Sequence, residues 1–140
     1  MHVKMNKGVF LLLGLAALVS ISMFADAGKG PRKSDLMVSN MSFSEYWVST
    51  NSTSVLYVDV FVTVKNQGQA SAGASYTRTV GLNTAYAPTP SLAPGATYVF
   101  VRTYACSSAH AFTATADYFN AVSESNEANN AASTYVDCAI

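Results

Sequence analysis

Cys106, His110 and Cys138 are the residues of this chain whose types could do nucleophilic chemistry. A Cys106 thiolate with His110 as its base would make a nucleophile–base pair. The two stand four residues apart, in what reads as a loop-to-strand junction, where nothing makes them converge. In an oxidising compartment the two cysteines are expected instead to form one disulfide, Cys106–Cys138. Closing a loop of about 32 residues contributes on the order of 3.5–4 kcal/mol in the chain-entropy model. His110 then reads as a structural residue. No G-x-S-x-G elbow and no H-E-x-x-H helix occurs, so the expectation is a protein that is not an enzyme.

Asp117, Glu124 and Glu127 offer the hard oxygen ligands that Ca²⁺ prefers, with Asn120, Asn126, Asn129 and Asn130 around them. They lack the dense D-x-D-x-D spacing of a dedicated calcium loop. The plainer reading is a tight β-connection whose Asn and Glu side chains bond the free backbone groups of the turn. If calcium binds, it is expected weakly and at Asp117, Glu124 and Glu127. Tyr46 and Trp47, beside the polar run Ser49–Ser54, form a candidate partner-binding loop. The alternative is that Trp47 plugs the end of the domain, its ring buried and its N–H on a carbonyl. Tyr57, Tyr76, Tyr86, Tyr104 and Tyr135 read as strand-favouring residues.

The elements that must position these residues follow a signal-like segment. Lys4 and Lys7 precede the apolar run Val9–Met23, and Ala25-Asp26-Ala27 offers a small-x-small cleavage pattern. Residues 1–27 are expected to be a cleaved signal peptide. The run is shorter than the roughly 20 residues of a spanning helix, which argues against a retained anchor. A pilin-type leader cut after Gly8 would carry Glu where Leu13 stands. The mature chain is expected to be secreted: extracellular, periplasmic or associated with the cell surface. Residues 28–34 are rich in Gly, Pro and charge and read as a flexible leader.

From residue 28 onward Lys29, Arg32, Lys33, Lys65, Arg78 and Arg102 meet Asp35, Glu45, Asp59, Asp117, Glu124, Glu127 and Asp137, a balance of one negative charge. Such a surface has no strong field for nucleic acid. Leu56, Val58, Val60, Val62 and Val64 alternate with Tyr57, Asp59, Thr63 and Lys65, the pattern of a strand with one buried face. Leu36, Val38 and Phe43 are expected anchors of an earlier strand. Tyr76–Leu82, Ala96–Tyr104, the run from Ala111 and the run from Ala132 complete the strands. Asn83–Pro90 reads as irregular, since Pro88 and Pro90 exclude a central strand position. Six or seven short strands with polar turns are the signature of an all-β sandwich. Residues 35–140 are expected to form one domain, its last two strands pairing as a hairpin around Asn126.

Four blocks carry a resemblance. Asp35-Leu-x-Val38 opens the domain. Val62-Thr-Val-Lys-Asn-Gln-Gly68 with Ala70-Ser-Ala-Gly73 follows. Leu92-Ala-Pro-Gly95 precedes a strand. Asp117, Asn120-Ala-Val122, Glu124-Ser-Asn-Glu127 and Asn129-Asn130 close it. In this order they resemble the CARDB family, the cell-adhesion-related domain found in bacteria, over about residues 35 to 138. The resemblance implies an immunoglobulin-like or fibronectin-III-like antiparallel sandwich of about seven strands. It implies a non-catalytic binding, adhesion or structural module of the cell envelope, with an envelope protein or polysaccharide as partner. The cysteine pair and the long Tyr46–Ser54 loop depart from the family pattern. Two other functions fit the residues. Low charge with abundant Ala, Ser, Thr and Tyr suits a self-associating filament or surface-layer subunit. Tyr86-Ala-Pro-Thr-Pro90 is the loop a small protease inhibitor or enzyme accessory protein would use.

Overall fold

The computed structural model of the chain describes residues 30–138. The expected signal peptide lies outside the described residues. Seven strands follow one another: β1 (Leu36–Ser49), β2 (Ser54–Asn66), β3 (Ser75–Val80), β4 (Thr84–Thr89), β5 (Thr97–Ala105), β6 (His110–Thr115) and β7 (Ala131–Val136). They make two antiparallel sheets, ordered β1-β2-β5 and β4-β3-β6-β7. The expected all-β sandwich of seven strands is the observed fold.

β2 sets the core, because its alternation puts Leu56, Val58, Val60, Val62 and Val64 on one buried face. Phe112 and Ala114 of β6 and Val136 of β7 close on that face from the other sheet. Thr77 and Thr89 are also buried, and their hydroxyls satisfy each other at 2.9 Å. The last two strands pair as expected, with His110 opposite Val136 and Thr115 opposite Ala131. That pairing brings the end of the chain back to the β5–β6 link, where the Cys106–Cys138 disulfide joins them.

Four expectations need correction. First, Tyr46–Ser49 is not a loop but the end of β1, and only the turn Thr50–Thr53 separates it from β2. A register shift between Val38 and Asn40 changes which residues face inward. Met41, Phe43, Glu45 and Trp47 then stand opposite Val62, Val60, Val58 and Leu56. Phe43 is exposed and not an anchor, unlike Leu36 and Val38. Second, Thr84–Thr89 is a strand. β4 pairs only with β3, so Pro88 sits on a sheet edge, where a missing N–H is tolerated. Third, Tyr86–Thr89 therefore belongs to a sheet and is not a free reactive loop. Fourth, the leader is held by its last two residues. Ser34 is buried in a parallel bridge with Glu124, and the Lys33 carbonyl accepts from the N–H groups of Gln69 (2.9 Å) and Ala70 (3.2 Å).

The exit from β2 is knotted by one side chain. Asn66 is fully buried. Its Oδ1 accepts from the N–H groups of Asp35 (3.1 Å) and Gly68 (3.0 Å). Its Nδ2 donates to the carbonyls of Ala70 (2.8 Å) and Leu92 (2.9 Å). Its backbone adds two bonds, donating to Ala96 O and accepting from Gly95 N. Gly95 has φ 78°, which ends the Leu92–Gly95 turn in the left-handed region. Gly68 is required by space, since a Cβ there would lie 2.5 Å from Asp35 N and Lys33 O.

Candidate functional site

Tyr76 and Arg78 alternate with the buried Thr77 and Thr79 on β3, so both point away from the core. Pairing sets Arg78 beside Tyr86 and Tyr76 beside Pro88 on β4. The turn after β6 adds two more rings. Asp117 and Asn120 both have positive φ, 43° and 55°, a conformation short polar side chains tolerate best among non-glycine residues. The Asp117 carboxylate fixes this turn by accepting from the N–H groups of Ala121 and Val122, each at 2.9 Å. The Tyr118 N–H donates to the Tyr76 carbonyl at 2.9 Å, which docks the turn on β3.

Tyr118 and Phe119 are thereby turned outward beside Tyr76 and Tyr86. Tyr86 and Phe119 stack with centroids 5.4 Å apart and planes 20° apart. Tyr76 meets Phe119 edge-on at 6.0 Å, and Tyr118 meets Phe119 edge-on at 5.3 Å. The Arg78 guanidinium lies 4.7 Å from the Tyr118 centroid, a cation–π contact. Phe119 is 60% exposed and Tyr86 50%. Four rings held against one another yet open to solvent form an aromatic platform. Strand propensity accounts for Tyr76 and Tyr86 one at a time but not for the group. The readable signal was Tyr118-Phe119 between Asp117 and Asn120, because adjacent aromatics in a turn cannot both face a core.

The sequence-predicted residues fall elsewhere. Tyr46 and Trp47 lie near the tip of the β1–β2 hairpin, which runs past β5, whose pairing with β2 ends at Tyr57–Ala105. Trp47 is 54% exposed, so it does not plug the sandwich. Tyr46 stacks on Tyr57 at 6.0 Å.

Asp117, Glu124 and Glu127 all bond backbone or amide donors. Glu124 is buried. Its Oε2 accepts from Leu36 N–H at 2.7 Å, and its Oε1 accepts from Asn130 Nδ2 at 3.1 Å. Glu127 Oε1 accepts from Glu124 N–H at 3.0 Å. Burial is the main cause that raises the Glu124 carboxyl to about 7; the Leu36 and Asn130 bonds oppose it, and the Glu127 and Asp117 charges add to it.

Cys106 and His110 do converge, contrary to expectation. Their ligating atoms and that of Cys138 all lie within 4.8 Å of one another. The short β5–β6 link folds the chain back between the two sheets, so four residues of spacing become one locus. His110 Nδ1 is 2.8 Å from the Ser108 carbonyl and Nε2 is 2.7 Å from Tyr104 Oη. A carbonyl only accepts, so in the neutral ring Nδ1 carries the proton and Nε2 accepts from the Tyr104 hydroxyl. Burial raises the Tyr104 phenol above its usual value, partly offset by Arg102, which keeps that hydroxyl protonated.

The CARDB family model matches residues 33–134. This chain belongs to the CARDB family. Solved structures agree. One is the CARDB domain of a Pyrococcus furiosus protein, crystallised in complex with di-metal ions: 21% identity over 78% of this chain and 96% of that one, TM-score 0.56. The solution structure of a Pyrococcus furiosus CARDB domain matches at 24% identity over 76% of this chain and 96% of that one, TM-score 0.56. A domain from Methanosarcina acetivorans, named for a cell surface protein, matches at 20% identity over 75% and 91%, TM-score 0.55. At these identities the likeness is one of fold. Among curated proteins, none matches the sequence. The CARDB blocks noted in the sequence are the polar joints of the sandwich. Asn66 and Gly68 knot the exit of β2, the Leu92–Gly95 turn receives the Asn66 amide, and Asp117, Glu124 and Asn130 tie the closing segment to the start of β1.

Proposed function

We propose that this CARDB chain is a secreted, non-catalytic binding module of the cell envelope that holds an envelope polysaccharide on the platform of Tyr76, Tyr86, Tyr118 and Phe119. The platform is the observation that carries the reading. Ring faces left in water by a folded domain are large apolar area with little side-chain freedom to lose. They suit the C–H faces of sugar rings, while the tyrosine hydroxyls and Arg78 supply polar contacts at the border. The fold relation to a domain named for a cell surface protein supports the surface setting.

Calcium at Asp117, Glu124 and Glu127 has a small place in this proposal, because a cation there competes with the backbone N–H groups those carboxylates already bond. The test is co-sedimentation of the protein, in the form its host secretes, with the host's own envelope polysaccharide. Saturable pelleting is expected with or without Ca²⁺. Phe119→Ala and Tyr86→Ala are each expected to weaken it about ten-fold, with unfolding midpoints near that of the parent. Pelleting that survives both but is lost in Trp47→Ala would move the contact to the β1–β2 hairpin. Pelleting without any polysaccharide would replace the proposal with self-association.

A further inference from the structure

We infer that Cys106, His110 and Cys138, when the two sulfurs are reduced, form a buried binding site for a thiophilic d¹⁰ cation of the zinc class. Three observations meet here. The two Sγ atoms and a His110 nitrogen lie mutually within 4.8 Å, a spread that one ion can bridge. Both cysteines are buried, as in a closed structural metal site. The outer contacts are also in place. A disulfide needs no imidazole beside it, yet His110 is held at both nitrogens, by Ser108 O and by Tyr104 Oη.

The Ser108 carbonyl oxygen is 2.8 Å from His110 Nδ1 and 3.1 Å from Cys138 Sγ. It therefore stands between two of the three ligands and is the fourth donor at hand. Nδ1, on that side, is the nitrogen that would bind. The ring proton then sits on Nε2 and is donated to Tyr104 Oη, the outer bond that orients a metal-bound histidine. Two thiolates, a neutral imidazole and a divalent ion sum to zero charge, which suits a buried locus.

The chemistry balances as follows. A dithiol reductant gives two electrons and two protons to the Cys106–Cys138 bond; the S–S bond breaks, two thiols form, and the reductant becomes a cyclic disulfide. The divalent cation then displaces both thiol protons to solvent as two metal–sulfur bonds form. The cation takes over the cross-link between the β5–β6 link and the end of β7 wherever oxidant is lacking.

The experiment starts from the protein reduced with excess dithiol and freed of it under argon. Zn²⁺ is added with proton release recorded, and Co²⁺ serves as the optical probe. One equivalent of Zn²⁺ bound, two protons released and a thiolate-to-cobalt charge-transfer band are expected. The oxidised protein is expected to bind neither ion at this locus. His110→Ala retains both thiols and is checked for folding in its oxidised form; its affinity for Zn²⁺ is expected to fall at least about ten-fold. The inference is overturned if reduced and oxidised proteins bind Zn²⁺ alike, if the cobalt spectrum lacks the thiolate band, or if His110→Ala binds as tightly as the parent. A reduced protein that unfolds and stays unfolded with Zn²⁺ overturns it as well, whereas refolding on Zn²⁺ addition supports it.

Discussion

Asn66→Ala is expected to lower the free energy of unfolding by about 4–5 kcal/mol, read from urea or thermal unfolding with the disulfide intact. The size follows from what one buried amide holds. Its four side-chain bonds satisfy the N–H groups of Asp35 and Gly68 and the carbonyls of Ala70 and Leu92. Alanine leaves those groups without their partner at a site closed to water, and a cavity where the amide stood. Losses of this size are rare for single substitutions and mark a disrupted network. Asn66→Asp separates the two halves of the role. It keeps both acceptor bonds but turns the donor end into an oxygen facing two carbonyls, so it too is expected to cost several kcal/mol, about 3 or more. A loss below about 1 kcal/mol for Asn66→Ala would mean that solvent or a shifted loop replaces the amide, and the knot would lose its place in the fold.

The second large effect is at Glu124. Glu124→Ala leaves Leu36 N–H and Asn130 Nδ2 without their acceptor and is expected to cost about 3 kcal/mol at pH 5. Glu124→Gln is expected to behave differently. Burial holds the folded-state pKa at about 7, above the ordinary 4.5. The folded form therefore keeps a proton that the unfolded form releases. The stability this brings is complete below about pH 4.5 and is lost as pH rises through about 7. The loss across that window is up to about 3 kcal/mol. Glutamine mimics the protonated carboxyl, so its unfolding midpoint should stay flat across the window and exceed the parent's at pH 8. Asn130 Oδ1 has no hydrogen-bond partner among the described residues. Turning that amide over lets the oxygen face the glutamine N–H, just as it would face the carboxyl proton. Parallel pH profiles for parent and Glu124→Gln would show that Glu124 does not titrate in this range.

What the sequence made legible was whatever is periodic or local. β2 is the clearest case, since its five inward side chains recur at every second residue. Its turn chemistry at Lys65–Gly68 and the Leu92–Gly95 turn were equally plain. The phase of β1 was hidden by the irregularity between Val38 and Asn40, which turns Phe43 and Trp47 onto a stretch of strand with little covering it. β4 was hidden by Pro88, because an edge position becomes visible only once the strand order is known. The platform has the same origin. Tyr76 and Tyr86 become neighbours through β3–β4 pairing, and Tyr118 and Phe119 join them through two backbone conformations with positive φ. The convergence of Cys106, His110 and Cys138 needed the path of the β5–β6 link, which no spacing rule supplies. The carboxylates of the closing segment were read as weak cation ligands or as turn caps, and their bonds to backbone donors match the second description.

The parallel bridge between Ser34 and Glu124 has a mechanical consequence. Ser125 N–H donates to Ser34 O at 2.8 Å, and Glu124 Oε2 holds Leu36 N–H at 2.7 Å. Tension applied between Ser34 and Cys138 draws two parallel segments past each other, so these bonds are loaded in shear and yield together instead of unzipping singly. Beyond that clamp, the Cys106–Cys138 link stops residues 107–137 from paying out. The domain would extend in two stages, with the closing segment remaining a closed loop under load.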